Sequence, residues 1–399
     1  ARECLEALRA AAPGTRTLVV GGHVSALPER SLREEEVDFV CQGEGPRTIE
    51  QLLLALRGGR SSDLASVEGL WYREEGAVRT GPPSRTLDDL DRDLGSMAWD
   101  LLPMDRYRAH NWHCFDHIAE RQPYASLYTS LGCPYRCSFC CINAPFGKPG
   151  IRYHSPAWIA NELELLAERY SVRNVKIADE MFVLNPRQVE GICDALIERG
   201  LDLNIWAYAR VDTVREGLLP KLARAGFRWL ALGIESGSAH VRDGAQKKFS
   251  DDDVRQTVRG IQAHGIRVIG NYIFGLPDDT ADTMRGTLDL ALELNCEFAN
   301  FYAAMAYPGS RLYTLALERG WALPETWLGY SQHAYETLPL PTEHLSAGEV
   351  LRFRDDAFHT YFTDPRYLEM VERTFGAECV RHVVEMGRHR LSRKYAASR

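Results

Sequence analysis

Apolar positions through the middle of this chain fall into two alternating registers. Short runs at Ser126–Leu131, Asn174–Ala178, Asn204–Ala209, Trp229–Ile234, Val268–Phe274 and Phe298–Met305 are nearly continuous in apolar character, as in strands covered on both faces. Between them apolar residues recur every three to four positions. That spacing predicts amphipathic helices over Trp158–Tyr170, Arg187–Arg199, Glu216–Ala225, Asp252–His264, Thr280–Leu294 and Arg311–Arg319. A strand followed by a helix, repeated, winds a parallel sheet through right-handed crossovers and leaves the C-terminal strand ends on one face. Chemistry in such barrels gathers on that face.

The flanks follow other patterns. Glu3–Ala12 reads as an amphipathic helix stopped by Pro13-Gly14. Thr17–Val20 is a buried strand running into Gly21-Gly22-His23, and Val37–Cys41 is a second one running into Gly43-Glu44-Gly45, with a helix over Thr48–Leu56. Strands ending in glycine turns are how an open α/β sheet makes a ligand crevice. Ser61–Gln122 is polar and turn-rich, with an acidic run at Asp88–Asp93, and reads as a connector; Trp99–Pro103 and the aromatic patch Tyr107–Phe115 are expected to dock the α/β segment and the barrel together. From Trp321 the chain is charged and helical, with a helix over Leu345–Phe362. The expected organisation is an α/β segment over 1–75, a connector over 76–122, a partial barrel over 123–325 and a helical region over 326–399.

Length and composition narrow the class. With 399 residues, 45% of them hydrophobic, the chain can bury a sizeable core. A formal charge of -8 argues against a large nucleic-acid footprint, so no nucleic-acid partner is expected. Ten cysteines are too sparse for a disulfide scaffold, and their clustering suits a reducing compartment, so the cytoplasm is expected. No apolar run is long enough to span a bilayer, and no membrane partner is expected.

The chemistry concentrates in Tyr128–Gly147, where Cys133, Cys137 and Cys140 stand at i, i+4 and i+7 with Phe139 before the last. Thiolates are soft ligands that favour iron–sulfur centres or zinc, and three so close in sequence reach one centre. Three ligands leave one iron of a cubane open, whereas structural zinc wants four. Cys141 adjoins Cys140 and makes a poor fourth; packing beside the loop is its expected fate. His110, His113, Cys114 and His117 suggest a second metal group, but their spacing is not a standard one.

The Cys133-x3-Cys137-x2-Cys140 pattern with Phe139 resembles the signature of the radical S-adenosylmethionine superfamily. The resemblance implies an α/β fold with a partial (β/α)6 TIM-like barrel. It also implies a [4Fe-4S] cluster on those three cysteines that binds S-adenosylmethionine at its open iron, and cleavage to a 5'-deoxyadenosyl radical. An external electron donor such as flavodoxin or ferredoxin is expected with it. By the same resemblance, Glu180 in Asp179-Glu180-Met-Phe182 meets the methionine amino group and Arg210 meets its carboxylate. Glu235 and Ser236 hold the ribose, and Gly275 of Gly275-Leu-Pro277 lies against the adenine. A salt bridge to Asp212 is the alternative for Arg210, a helix cap the alternative for the Asp179-Glu180 pair, and a solvated helix end is expected for Lys247 and Lys248. Asn271, Tyr272, Tyr302 and Tyr307 are candidates for substrate contact by strand alternation.

About sixty residues of the N-terminal segment, carrying Gly21-Gly22-His23 and Asp38-Phe-Val-Cys-Gln-Gly43-Glu-Gly45, are similar to the C-terminal part of the cobalamin-binding domain found ahead of many such cores, forming part of a Rossmann-like unit. Gly21, Gly22 and Gly43 are candidates for backbone approach to a corrin, with a turn role as the alternative. A full domain of that kind needs more strands than this sequence holds, so either an earlier half is missing or the segment is a remnant. The expected activity is a cobalamin-dependent methyltransferase acting on an unactivated carbon of a small-molecule substrate. A cobalamin-independent radical cyclisation, rearrangement or oxidation is the alternative, and a non-catalytic iron–sulfur or zinc protein is the alternative from another class.

Overall fold

The computed structural model describes residues 2–58 and 61–396. The chain divides into two compact units. One comprises Ala1–Gly95, Gly132–Arg152 and Tyr307–Leu315; the other comprises Ser96–Leu131, Tyr153–Ala306 and Ala316–Arg399. Each is taken separately.

The larger unit is organised on strands β5 (Tyr124–Leu127), β6 (Asn174–Ile177), β7 (Asn204–Arg210), β8 (Phe227–Glu235), β9 (Arg267–Phe274) and β10 (Phe298–Ala303). They form one six-stranded sheet in chain order, every pairing parallel. The near-continuous burial of β8 and β9 is what a sheet covered on both faces requires. The helices between strands begin where the chain supplies caps. Ser250 accepts from the Asp253 amide and sets the start of Asp251–Ala263, whose Val254, Val258 and Ile261 face the core. Thr280 does the same for Ala281–Leu294.

Two expected elements differ. Glu216–Ala225 is a 3-10 turn at Glu216–Leu218 followed by a short helix at Leu219–Arg224, because Pro220 has no N–H and fits only at a helix start. The first strand lies at Tyr124–Leu127, ahead of the expected Ser126–Leu131. Thr129 and Ser130 are instead drawn onto the carboxylate of Asp179, described below. Three helices close the C-terminal part, Ala347–Phe362, Pro365–Phe375 and Ala377–Gly387. The first of them packs on β10, with Arg354 Nε donating to the Phe301 carbonyl at 2.7 Å and Tyr361 Oη to the Cys296 carbonyl at 2.6 Å. Among the described residues no helix is long and apolar enough to cross a membrane.

The smaller unit carries a four-stranded sheet of β1 (Leu18–Val19), β2 (Phe39–Cys41), β3 (Leu70–Glu74) and β4 (Ala77–Thr80). The first pair is parallel, and the β3–β4 hairpin adds to β2 antiparallel. The expected boundary at 75 therefore falls inside a hairpin, and this unit runs on to Gly95. Its core is Phe39, Leu52, Val67, Leu70 and Tyr72. By its contacts the cysteine loop, within Gly132–Arg152, groups with this unit.

Candidate active site

In the barrel unit the expected site residues stand at the ends of β6 to β9. Just past β6, Asp179 is buried and accepts from the Thr129 amide and Oγ1, both at 2.6 Å, and from Ser130 Oγ at 2.5 Å. Burial raises its carboxyl above the usual range, and those three donors pull the other way. Asp179 thus ties the end of β6 to the segment that leads directly into Cys133. Neither it nor Glu180 caps the next helix, since Asn185 does that by accepting from the Arg187 and Gln188 amides. Glu180 is half-buried, and desolvation raises its carboxyl against the attraction of Lys176.

At the end of β7, Arg210 is buried and makes a two-pronged pair with Asp212, Nε to Oδ1 and Nη2 to Oδ2 both at 2.9 Å. The alternative read from the sequence is what the structure holds, and one edge of the guanidinium fork is committed to Asp212.

At the end of β8 the sheet register slips between Gly233 and Glu235, and Glu235 takes φ +67°. A left-handed backbone at a residue with a Cβ costs about 1–2 kcal/mol, and such strain clusters where a side chain must be aimed. Glu235 is buried and paired with Lys247 Nζ, which also donates to the Gly233 carbonyl at 3.1 Å. Lys247 is only 4% exposed. The solvated helix end expected for it is therefore wrong: the short helix Ala239–Gly244 turns the chain back and brings the ammonium under the β8 bulge. Ser236 departs from its expected ribose contact, because its hydroxyl accepts from the Ser238 amide at 3.1 Å and meets Thr287 Oγ1 at 3.2 Å, closing the turn.

At the end of β9, Gly275 has φ +81°, and a Cβ there would collide with Val350, so only glycine fits. Its amide and that of Leu276 donate to Asp279 Oδ2 at 3.0 and 3.1 Å. Burial raises Asp279 to about 6 despite those bonds. Asp279 carried no signal in the sequence beyond its place after a Gly-Leu-Pro turn. Of the strand-alternation candidates, Tyr272 faces the core and stacks on Phe301 at 5.4 Å, while Asn271 bonds Asn300 at 3.0 Å.

The histidine group ahead of β5 packs instead of gathering. His113 is buried with Nε2 2.8 Å from the Asn204 carbonyl, and burial lowers it to about 3. Cys114 Sγ donates to Asn174 Oδ1 at 3.4 Å. Trp112 meets Trp206, Trp229 and Phe298 at 5.0–5.7 Å, so this part of the patch expected to join two units is core of the barrel unit itself.

In the smaller unit, Gly132 (φ +91°) sits against the Gly150 carbonyl, leaving no room for a side chain, and the Gly150 amide donates to the Cys133 carbonyl at 3.1 Å. That closes the loop at its base. A turn from the Cys140 amide to the Cys137 carbonyl at 3.0 Å and a bond from the Leu312 amide to the Ser138 carbonyl at 3.0 Å hold its middle. Cys133 is buried, Cys137, Cys141 and Phe139 are half-buried, and Cys140 is exposed. A single zinc ion draws its thiolates in to about 2.3 Å. Among the described residues no three His, Cys, Asp or Glu side chains stand that way. A cubane takes each thiolate on a separate iron, and three thiols carried on one loop suit it.

The loop is braced on the glycine turns of the same unit. Arg152 pairs with buried Glu44 and donates to the Leu87 carbonyl at 2.7 Å, while the Leu87 amide donates back to Glu44 Oε2 at 2.7 Å. Gly21 and Gly43 adopt φ +135° and +139°, and Ser25 Oγ accepts from the Gly43 amide at 3.1 Å, linking the two turns. A Cβ on Gly21 or Gly22 would meet nothing within 4 Å. Both lie at the C-terminal end of a parallel strand and face open space, which fits the backbone approach of a large ligand.

A family model described as the Radical SAM superfamily matches residues 127–291. An uncharacterised methyltransferase, PH0819, of Pyrococcus horikoshii is 30% identical over 88% of this chain and 73% of its own length. The chain belongs to the radical SAM superfamily. Among further radical SAM relatives, the anaerobic magnesium-protoporphyrin IX monomethyl ester cyclase of Rubrivivax gelatinosus is 27% identical over 78% of this chain and 55% of its own length. The radical S-adenosylmethionine methyltransferase TsrM of Kitasatospora setae, solved with cobalamin and a [4Fe-4S] cluster bound, superposes with a TM-score of 0.64 at 20% identity. That match covers 80% of this chain and 60% of TsrM, and it bears on the fold alone. The six-stranded parallel sheet is thus the partial barrel of the radical SAM fold.

Proposed function

We propose that this radical SAM protein is a cobalamin-dependent methyltransferase that acts on an unactivated carbon of a small molecule. The observation that carries the radical part is the loop of Cys133, Cys137 and Cys140 leaving the first barrel strand, with no fourth thiol at cluster spacing. The methyl-transfer part is supported by the Pyrococcus horikoshii methyltransferase, and the cobalamin by the open turn at Gly21-Gly22, which Ser25 links to a closed turn at Gly43 packed against Ser84. When bound, a three-thiolate [4Fe-4S] cluster supplies the single electron that cleaves the sulfonium of S-adenosylmethionine.

The chain's own residues would bind and orient that cosubstrate. Glu235, held in a left-handed backbone and paired with Lys247, accepts from the two ribose hydroxyls. Glu180 accepts from the amino group. Arg210, held with one edge on Asp212, meets the carboxylate of the cosubstrate. The fixed turn at Gly275 presents backbone to the adenine. Asp179 positions the segment entering the cysteine loop, and Arg152 with Glu44 braces the loop's exit. An external flavodoxin or ferredoxin supplies the electron.

The test is anaerobic reconstitution with iron, sulfide and cobalamin, reduction, and incubation with S-adenosylmethionine. Release of 5'-deoxyadenosine together with S-adenosylhomocysteine is expected. Release of 5'-deoxyadenosine alone, with no corrin retained, favours a cobalamin-independent cyclisation, the reading that the Rubrivivax gelatinosus relative supports. Cys137→Ala should lose the iron and all turnover, and Cys141→Ala should keep both; the reverse result would reassign the ligands.

A further inference from the structure

Within the barrel unit lies a cavity of about 440 Å³ whose walls include Lys176 of β6, Trp206 and Tyr208 of β7, Tyr302 of β10, and His110 and Arg121 from the segment ahead of β5. The volume falls in the range of roughly 300–1,000 Å³ usual for small-molecule sites. Two features of this lining are unusual. It is strongly aromatic, and none of its residues is Asp or Glu, in a chain whose formal charge is -8.

Two of its cations, Lys176 and Arg121, form no ion pair with the described residues. Lys176 makes no ion pair with any described residue; its Nζ stands 4.8 Å from the Trp206 ring centroid and 5.7 Å from that of Tyr208. Burial holds its ammonium below the ordinary value, and Glu180 is near enough only to offset that in part. Arg121 spends Nε and Nη2 on the Ala109 carbonyl, at 2.8 and 2.6 Å, and meets no carboxylate among the described residues. Arg354, also in the wall, is by contrast paired with Asp355. A buried cation without a counter-ion is costly unless an anion completes the site.

An independent sign comes from Trp206. Its ring is 3% exposed and its Nε1 is buried with no hydrogen-bond partner. Buried indole N–H groups ordinarily find an acceptor, and this one, on a residue of the cavity wall, has none among the described residues.

We propose that this cavity binds the substrate and that the substrate is a planar aromatic carboxylate, with its ring against Trp206 and Tyr208 and its acid group between Lys176 and Arg121. That the occupant is the substrate rests on the radical reading above; the binding preference does not.

The experiment is calorimetric titration of the reconstituted, unreduced protein with three probes of one ring system: indole-3-carboxylate, indole and tryptamine. The acid should bind at least about tenfold more tightly than indole, and tryptamine more weakly than either. A tenfold preference corresponds to about 1.4 kcal/mol, just under the roughly 1.5–3 kcal/mol of a hydrogen bond to a charged group. Lys176→Met should erase the preference of acid over indole, Lys176→Arg should keep it, and Trp206→Leu should weaken both ligands together. Tryptamine binding as tightly as the acid, no binding by any probe, or a preference that survives Lys176→Met would overturn the proposal. Release of 5'-deoxyadenosine after reduction is scored separately. Its absence beside the predicted probe order would sink the radical reading and spare the site; its presence with the wrong order would do the opposite.

Discussion

Glu235 and Lys247 form a buried ion pair at the end of β8, and the Glu235 carboxylate is also the expected ribose acceptor. Removing one partner of a buried pair leaves the other uncompensated, at a cost of about 3–5 kcal/mol. Lys247→Met should therefore lower the unfolding free energy by that amount in urea titrations. The double variant Glu235→Gln, Lys247→Met should recover most of it, yet 5'-deoxyadenosine release should stay lost. Recovery of both would reduce the pair to a structural one. Nothing near Gln246-Lys247-Lys248 in the sequence tells a buried lysine from a solvated one. The difference lies in where a six-residue helix returns the chain.

Two elements govern how firmly the strand ends and the cysteine loop are held. The turn after β9 hangs on Asp279, whose carboxyl is raised by burial to about 6. A raised folded-state value means the native form holds its proton where the unfolded chain has already lost it. Asp279 therefore contributes stability below about pH 4 that is lost as pH rises to about 6, up to about 3 kcal/mol at 1.36 kcal/mol per unit. Compared with Asp279→Asn, the native protein should lose stability across that window and run parallel to the variant above it, as read from urea midpoints. The cysteine loop depends on Arg152 and Glu44, from segments more than a hundred residues apart in the chain. Arg152→Met strands a buried carboxylate, so it should destabilise this unit by about 3–5 kcal/mol and speed iron loss to a chelator. Unaltered iron retention would show that the brace does not hold the loop.

At the scale of the whole molecule, the C-terminal helices are part of the barrel unit's core. Tyr361, Phe362, Tyr367 and Val371 are buried in the same cluster as Phe298 and Phe301 of β10. A chain ended at Glu325 would bare that face of the sheet, so it should fail to give a monodisperse, cooperatively unfolding species by size exclusion and circular dichroism. A soluble, active truncation would show that the tail only shields the cavity.

The strands and helices of the barrel were readable because each strand is apolar on both faces and the helices between them carry one apolar face; burial of that kind is local in sequence. The three thiols were readable for the same reason, since one loop holds them all. What the tertiary structure alone decided are the partnerships between distant segments: Asp179 with Thr129 and Ser130, Lys247 with Glu235, Arg152 with Glu44, and the β3–β4 hairpin on β2. A polar side chain in water and one buried against a partner look alike in a sequence. Only the folded chain determines which of them has lost its water.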